Sequence, residues 1–299
     1  MKVLILGDLH LTNSKPRNRV DDYAETLKDK FRFILQTARE EKCGFVLSPG
    51  DFWNSPNPSY EFFCEIIAEI EEQQIQIITI PGQHDLEYRN FENTALRALG
   101  IKSKWVKVLT AEDPCMIING IDIYASPFNK PIPEIEDKKS FNILLIHRMI
   151  IQEKIWEGQK NCEPSNVFLR QQPFDLIVSG DNHNGFYQSF KGKYLFNCGS
   201  MMRSTTAQTE HKPFIVVFDT EKSDKYKIIY IPIEPAEKVF SLEDVQSEKG
   251  QNKSLKAFTE GLSENKEMGL VIEDNFNQYF KEEKIETEIS DIIWECARG

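Results

Sequence analysis

Five short apolar runs in this chain each stop at an acid or a histidine, and that pairing limits the folds open to it. Val3 to Leu6 runs into Gly7-Asp8-Leu9-His10, Phe45 to Leu47 leads to Gly50-Asp51, and Ile75 to Ile80 leads to Gly82-Gln83-His84-Asp85. Phe141 to Ile146 ends at His147, and Leu176 to Val178 ends at Gly180-Asp181-Asn182-His183. Apolar runs this short, bounded by turn residues, read as buried strands. In an open α/β sheet, ligands gather in the crevice at the carboxyl ends of the strands, so five distant polar groups are expected at one edge. Four of the chain's five histidines occupy these positions.

The segments between the runs supply the helices. From about Asp21 to Lys42, Tyr23, Leu27, Phe31, Ile34, Leu35 and Ala38 recur at helical spacing, and Phe62, Phe63, Ile66, Ile67 and Ile70 mark a second helix. The resulting β-α-β-α-β order predicts a largely parallel sheet between helices. Further on, Met116 to Ile118 and Ile121 to Tyr124 flank Asn119-Gly120, a strong hairpin dipeptide. Together with Tyr194 to Phe196, Phe214 to Phe218 and Tyr226 to Ile231, these runs predict a second sheet packed on the first. The expected fold class is therefore α/β, a two-sheet sandwich flanked by helices, spanning residues 1–235. After Pro232 and Pro235 a charged stretch that includes residues 248–253 reads as a linker. Apolar residues from Phe258 to Trp294 then predict a small helical extension over 236–299, which either packs on the first domain or docks a partner.

Composition narrows the function classes. The net charge is −11, whereas a protein that grips polyphosphate unaided usually carries a basic excess. A nucleic-acid role would need local cationic patches, bound metal ions or a basic partner. The six cysteines contain no Cys-x-x-Cys pair, which argues against a zinc knuckle and for reduced thiols. No apolar run approaches the ~20 residues of a membrane helix, and the N-terminal run is too short for a signal-peptide core, so the expectation is a cytoplasmic protein without membrane contact.

Each polar group is a weak signal by itself. A lone Asp-x-His is more often a surface or capping pair, Gly-Asp after a strand is usually a turn, and an isolated His147 would more often be a hydrogen-bonded core histidine. The ordered set of five is another matter. It resembles the pattern of the calcineurin-like metallophosphoesterases: Asp-x-His, Gly-Asp, Gly-Asn-His-Asp/Glu, His and Gly-His-x-His. Within that superfamily the chain is similar to the SbcD-type nuclease subunits of double-strand-break processing complexes, including short phage-encoded forms. The residues that carry this finer likeness are Asp8-Leu9-His10-Leu11 followed by Arg19 and Asp22, and the run Asn197-Cys198-Gly199-Ser200-Met201-Met202-Arg203-Ser204.

The resemblance implies a ligand set. Asp8, His10 and His183 would bind one divalent metal, Gln83, His147 and Asp181 the other, and Asp51 would bridge them at about 3.5–4 Å. His84 would be the general acid that protonates the leaving 3′ oxygen, oriented by Asp85. Nitrogen and oxygen donors without thiolate suit manganese, with magnesium or iron as alternatives. Two positions depart from the family pattern: Gln83 replaces Asn, and Asp181 replaces the first His of Gly-His-x-His. Both fall on the second metal, whose site is either retained with adjusted geometry or degraded. Arg17, Arg19, Arg89, Arg148 and Arg203, near ligand groups in sequence, are candidates to meet substrate phosphates. The implied activity is that of a DNA exonuclease and endonuclease in repair or recombination, working with DNA and an SbcC-like coiled-coil ATPase, with a homodimer left open. The competing readings are a small-substrate phosphatase or cyclic-nucleotide phosphodiesterase, and a non-catalytic scaffold.

Overall fold

The computed structural model describes residues 1–135, 139–153, 162–222 and 225–241. The chain divides into two compact units, Met1–Asp244 and Val245–Gly299. The linker and amphipathic helices expected beyond residue 241 lie outside the described residues.

In chain order the first unit begins with β1 (Lys2–Ile5), α1 (Tyr23–Glu40), β2 (Val46–Ser48), α2 (Tyr60–Gln73), β3 (Ile77–Thr79), α3 (Ala95–Lys102) and β4 (Val106–Val108). It continues with β5 (Cys115–Ile118), β6 (Ile121–Ser126), β7 (Phe141–His147), β8 (Ile150–Ile151), β9 (Glu163–Pro164), α4 (Ser165–Gln171) and β10 (Leu176–Gly180). It closes with β11 (Phe186–Phe190), β12 (Lys193–Asn197), β13 (Phe214–Asp219), β14 (Tyr226–Tyr230) and α5 (Ala236–Val239).

Twelve of these strands build two six-stranded sheets, ordered β14-β13-β1-β2-β3-β4 and β11-β12-β10-β7-β6-β5. In the first, β1 to β4 run parallel; in the second, β6, β7, β10 and β12 do. The two-sheet sandwich expected from the sequence is the fold found, with one correction: β13 and β14, expected in the second sheet, belong to the first, because β13 pairs antiparallel with the free side of β1 and β14 follows it. Strand pleating explains how one sequence serves two cores. Val3 and Ile5 of β1, Leu47 and Ile78 point between the sheets, where they meet Ile123, Ile143, Leu145 and Val178. Leu4, Val46 and Ile77 point the other way, onto Leu27, Phe31 and Ile34 of α1 and Ile66 and Ile70 of α2. On the far side, Leu144, Ile146 and Ile177 meet Phe168 and Leu169 of α4. The result is a helix, sheet, sheet, helix stack.

Local chemistry fixes the ends of the elements. Asp22 caps α1 by accepting the Glu25 N–H, and Ser59 caps α2 by accepting the Phe62 N–H. The β5–β6 hairpin turns at Asn119 and Gly120, with φ of 52° and 77°, as its dipeptide predicts. The elements without a clear sequence signal are α3, β4, α4, β8, β9 and β11. Most are very short, and β11 is an edge strand with alternate residues in solvent, so neither periodicity nor continuous apolarity marks it.

Phe31 is fully buried where α1 meets the first sheet. Replacing it by Ala leaves a cavity there, and urea denaturation should record a loss of about 3–5 kcal/mol. A loss below about 1 kcal/mol would mean that the α1 interface is not part of the cooperative core.

Candidate metal centre

The parallel strands β1, β2, β3, β7 and β10 deliver Asp8, Asp51, His84, His147 and His183 to one edge of the sandwich. The ligand atoms of Asp8, His10 and His183 lie within 4.8 Å of one another, and so do those of His10, Asp51 and His84. The His10 and His183 rings meet edge-on, their planes 75° apart, with their Nε2 atoms 3.0 Å from each other. Asp51 occupies the middle. Its Oδ2 is 3.6 Å from His10 Nε2 and 3.4 Å from His147 Nε2, while its Oδ1 accepts the His84 backbone N–H at 2.8 Å.

Several buried atoms here lack a well-formed hydrogen bond among the described residues: Asp8 Oδ1, His10 Nδ1 and His147 Nε2, the last only at ion-pair distance from Asp51. An orphaned buried acceptor is costly, and native structures seldom tolerate it without an ion or water. His147 donates from Nδ1 to the Pro49 carbonyl at 2.9 Å, which fixes the ring orientation and turns Nε2 toward the Asp51 carboxylate, where it can donate a lone pair to a metal once its proton is lost. These features fit divalent cations: hard oxygen and imidazole donors, converging, with unmet valence.

The glycines make that convergence sterically feasible. A Cβ on Gly82 would sit 2.2 Å from Asp51 Oδ1, and one on Gly180 would sit 2.5 Å from Asp8 Oδ1 and 2.8 Å from His147 Nδ1. The backbone also carries strain: His10, Asp51 and Asp181 have φ of 47°, 48° and 79°, in the left-handed region that non-glycine residues rarely occupy. Sheet and loop packing hold these residues there.

Crowding acids and imidazoles shifts their proton affinities. Burial raises the Asp8 carboxyl well above its usual range, and the charges on Asp51 and Asp181 add to this against the pull of His147. Burial alone would depress the His147 imidazolium, yet Asp51, Asp8 and Asp181 together pull it up to about 10. His10 is driven down to about 3, chiefly by burial. Burial opposes ionisation of Asp51, but His147, His10 and the His84 N–H hold it below the usual carboxylate range.

Gln83 and Asp181 stand at the margin of the cluster. Gln83 is exposed on the rim beside His84, and Asp181 is half-buried, close enough for its charge to act on His147. The Asp181 backbone N–H donates to Asp8 Oδ2 at 2.9 Å, so the residue ties the two halves of the centre through its backbone as well.

Two expectations need correction. Asp85 does not orient His84. Its carboxylate is fully buried and accepts backbone N–H bonds from Trp53 (2.9 Å), Gly82 (3.0 Å) and Phe52 (3.1 Å), while the group that holds His84 Nδ1 is the Asn54 carbonyl at 3.0 Å. Asp85 therefore clamps the Asp51 loop to the Gly82 loop, and burial together with the Asp51 charge pushes its carboxyl up to about 7. The arginines also divide. Arg19 and Arg203 are buried and donate to internal acceptors, and Arg148 pairs with Glu163 at 2.9 Å. Arg17 and Arg89 remain as exposed cations without an ion pair among the described residues.

Sequence reading missed the carbonyls of Pro49 and Asn54, since a backbone acceptor has no residue signature. It also missed Asn182, a buried side chain that donates to the Ile150 carbonyl at 2.9 Å and accepts the Asn184 N–H at 3.0 Å, anchoring the loop that carries His183. Cys198 is buried and its thiol is pushed up by burial, as a packing role requires.

Two measurements probe the centre. Coordination through His147 Nε2 needs the neutral ring, whereas the raised value places a proton there at pH 7 in the metal-free protein. Binding should therefore release protons, and apparent affinity should rise from pH 6 to pH 8. Calorimetry in buffers of different ionisation enthalpy would detect this; heats independent of buffer would contradict it. Asp85→Ala should weaken metal binding about 10–100-fold although Asp85 touches no candidate ligand side chain, because the two loops lose their clamp. Unchanged affinity would dismiss the clamp.

Residues 1–185 match the model of the family described as calcineurin-like phosphoesterase. No curated protein sequence matches the chain. Among solved structures, the protein TT1561 of Thermus thermophilus superposes with a TM-score of 0.50 at 8% identity, over 77% of this chain and 99% of that one. An archaeal phosphodiesterase gives 0.43 at 16% identity, over 77% and 99% of the two chains. A 5′-nucleotidase of Staphylococcus aureus, so named only provisionally, gives 0.49 at 11% identity, over 84% of this chain and 58% of that one. With the strand-end cluster above and the family model covering more than half its length, the chain belongs to the calcineurin-like phosphoesterases, metal-dependent hydrolases of phosphoesters.

Proposed function

We propose that the protein is a two-metal DNA nuclease of the SbcD type, cutting phosphodiester bonds with manganese as its preferred ion. The observation that carries the two-metal reading is the position of Asp51 Oδ2, between His10 Nε2 and His147 Nε2. A carboxylate placed there could be shared between two ions, one of which Asp8, His10 and His183 would hold and the other His147, Asp181 and Gln83. Bound dications supply Lewis-acid charge and a water nucleophile at neutral pH.

The remaining chemistry belongs to the chain's own side chains. His84 donates from Nδ1 to the Asn54 carbonyl, which leaves Nε2 as the nitrogen that can pass a proton to a leaving oxygen. His84, Gln83 and His183 are exposed, so the reacting edge faces solvent and suits a bond within a long polymer. Arg17 and Arg89 are cations free to meet its phosphates. The run 197–204, on which the likeness to SbcD-type subunits rests, lies beside the first ligand. The segment after β12 packs on the first ligand, since Asp8 N–H donates to the Gly199 carbonyl and Met201 N–H donates to the Asp8 carbonyl, both at 3.0 Å. The charge of −11 fits a division of labour in which an SbcC-like ATPase partner supplies most of the duplex grip.

End-labelled DNA incubated with the full-length protein and manganese should be cut. His84→Ala should slow cutting about 10²–10⁴-fold while manganese binding is retained. Intact DNA alongside hydrolysis of a nitrophenyl phosphate ester would instead assign a small-substrate phosphatase. No hydrolysis of either substrate would leave the scaffold reading.

A further inference from the structure

Three buried cations meet outside the metal centre. Arg19 precedes α1, Lys30 lies on α1 and Arg203 follows β12, and they are 4%, 7% and 4% exposed. All three line one cavity of about 270 Å³, room for several water molecules, and none of the candidate metal ligands lines it. The ring of Phe240 lies 5.4 Å from the Arg19 guanidinium carbon and 5.9 Å from that of Arg203.

The charges in this cavity do not balance. Arg19 binds the Asp21 carboxylate at 2.8 and 2.6 Å and donates its remaining nitrogen to the Arg203 carbonyl. Among the described residues, Arg203 donates only to carbonyls, those of Thr209 and Glu234, and Lys30 only to the Met201 carbonyl at 3.2 Å. Carbonyls satisfy hydrogen bonds but carry no net charge. The two acids that line the cavity are engaged elsewhere: the Asp29 carboxylate holds Arg32 and the Glu234 carboxylate holds Lys238. Asp21 acts on Arg203 and Lys30, and Glu210 and Glu237 on Arg203, through their fields and without a hydrogen bond to them. Among the described residues, then, three cations share one bonded carboxylate. A buried, unpaired charge is among the costliest features a fold can carry. The strain is visible at Lys30, whose ammonium is pushed down to about 7 by burial and by Arg19 and Arg203.

We propose that the Arg19, Lys30 and Arg203 cavity binds a phosphate-class oxyanion at a site separate from the metal centre. A tetrahedral dianion meets the unbalanced charge, accepts from an ammonium and a guanidinium together, and fits the volume. The site is one residue from the first metal ligand. Met201 accepts the Lys30 ammonium at its carbonyl and donates its own N–H to the Asp8 carbonyl, so an anion that draws on Lys30 acts on the segment that positions Asp8.

The test titrates inorganic phosphate into the full-length, magnesium-loaded protein by calorimetry, in a His183→Ala background that weakens any hold of the metal centre on phosphate. Saturable binding is expected there, and adding Lys30→Met should weaken it at least tenfold, with Arg203→Gln acting in the same direction. Lys30→Met removes a buried charge at similar volume, so without phosphate its melting temperature should equal or exceed that of its parent, which shows that it folds. Phosphate should raise the melting temperature of the parent and not of the variant. Absence of binding in the His183→Ala protein, or equal affinity with Lys30 and with Met, overturns the proposal. No reaction is measured, so either result leaves the hydrolase reading untouched.

Discussion

One carboxylate organises the working edge of this protein. Asp51 stands at the end of β2 with one oxygen between the imidazoles of His10 and His147 and the other bound by the His84 N–H. Its residue has a left-handed backbone, the preceding Gly50 has φ of 108°, and Gly82 leaves no room for a Cβ beside its carboxylate. Such a conformation survives only when its surroundings determine it. Here they are the parallel strands on either side and the buried Asp85, which draws the Phe52, Trp53 and Gly82 amides onto one carboxylate. The sandwich holds a strained loop, the loop holds Asp51, and Asp51 gathers the histidines.

Much of this was legible in the sequence, for identifiable reasons. The strands that end in ligand groups are continuous apolar runs because both of their faces are covered, so β1, β2, β3, β7 and β10 stood out without a periodic pattern. The helices α1 and α2 bury a single stripe each and announced themselves by spacing. What escaped were features whose signal is not a side-chain type: the carbonyls of Pro49 and Asn54 that orient two imidazole rings, and the edge strand β11. Asp85 was noticed for its place beside His84, yet adjacency in sequence put the wrong partner on it, since the carboxylate turns back under the loop. Arg19 and Arg203 show the same error in reverse. They lie near ligand groups along the chain, and burial sends them inward.

Charge is distributed with the same economy. The strand-end cluster concentrates acids and imidazoles until Asp51, Asp8 and Asp181 hold the His147 proton well above its ordinary range. On the other side of the 199–203 segment the imbalance has the opposite sign, with three cations and one bonded carboxylate. A chain with an excess of acids thus keeps a buried positive cavity one residue away from Asp8. The two sites draw on one stretch of backbone, the turn that packs Gly199 and Met201 against Asp8.

Anomalous diffraction at the manganese edge from crystals of the full-length protein tests the central claim most directly. Two peaks are predicted, one beside Asp8, His10 and His183 and one beside His147, Asp181 and Gln83, with Asp51 touching both. A single peak, or two that do not share Asp51, would contradict the account.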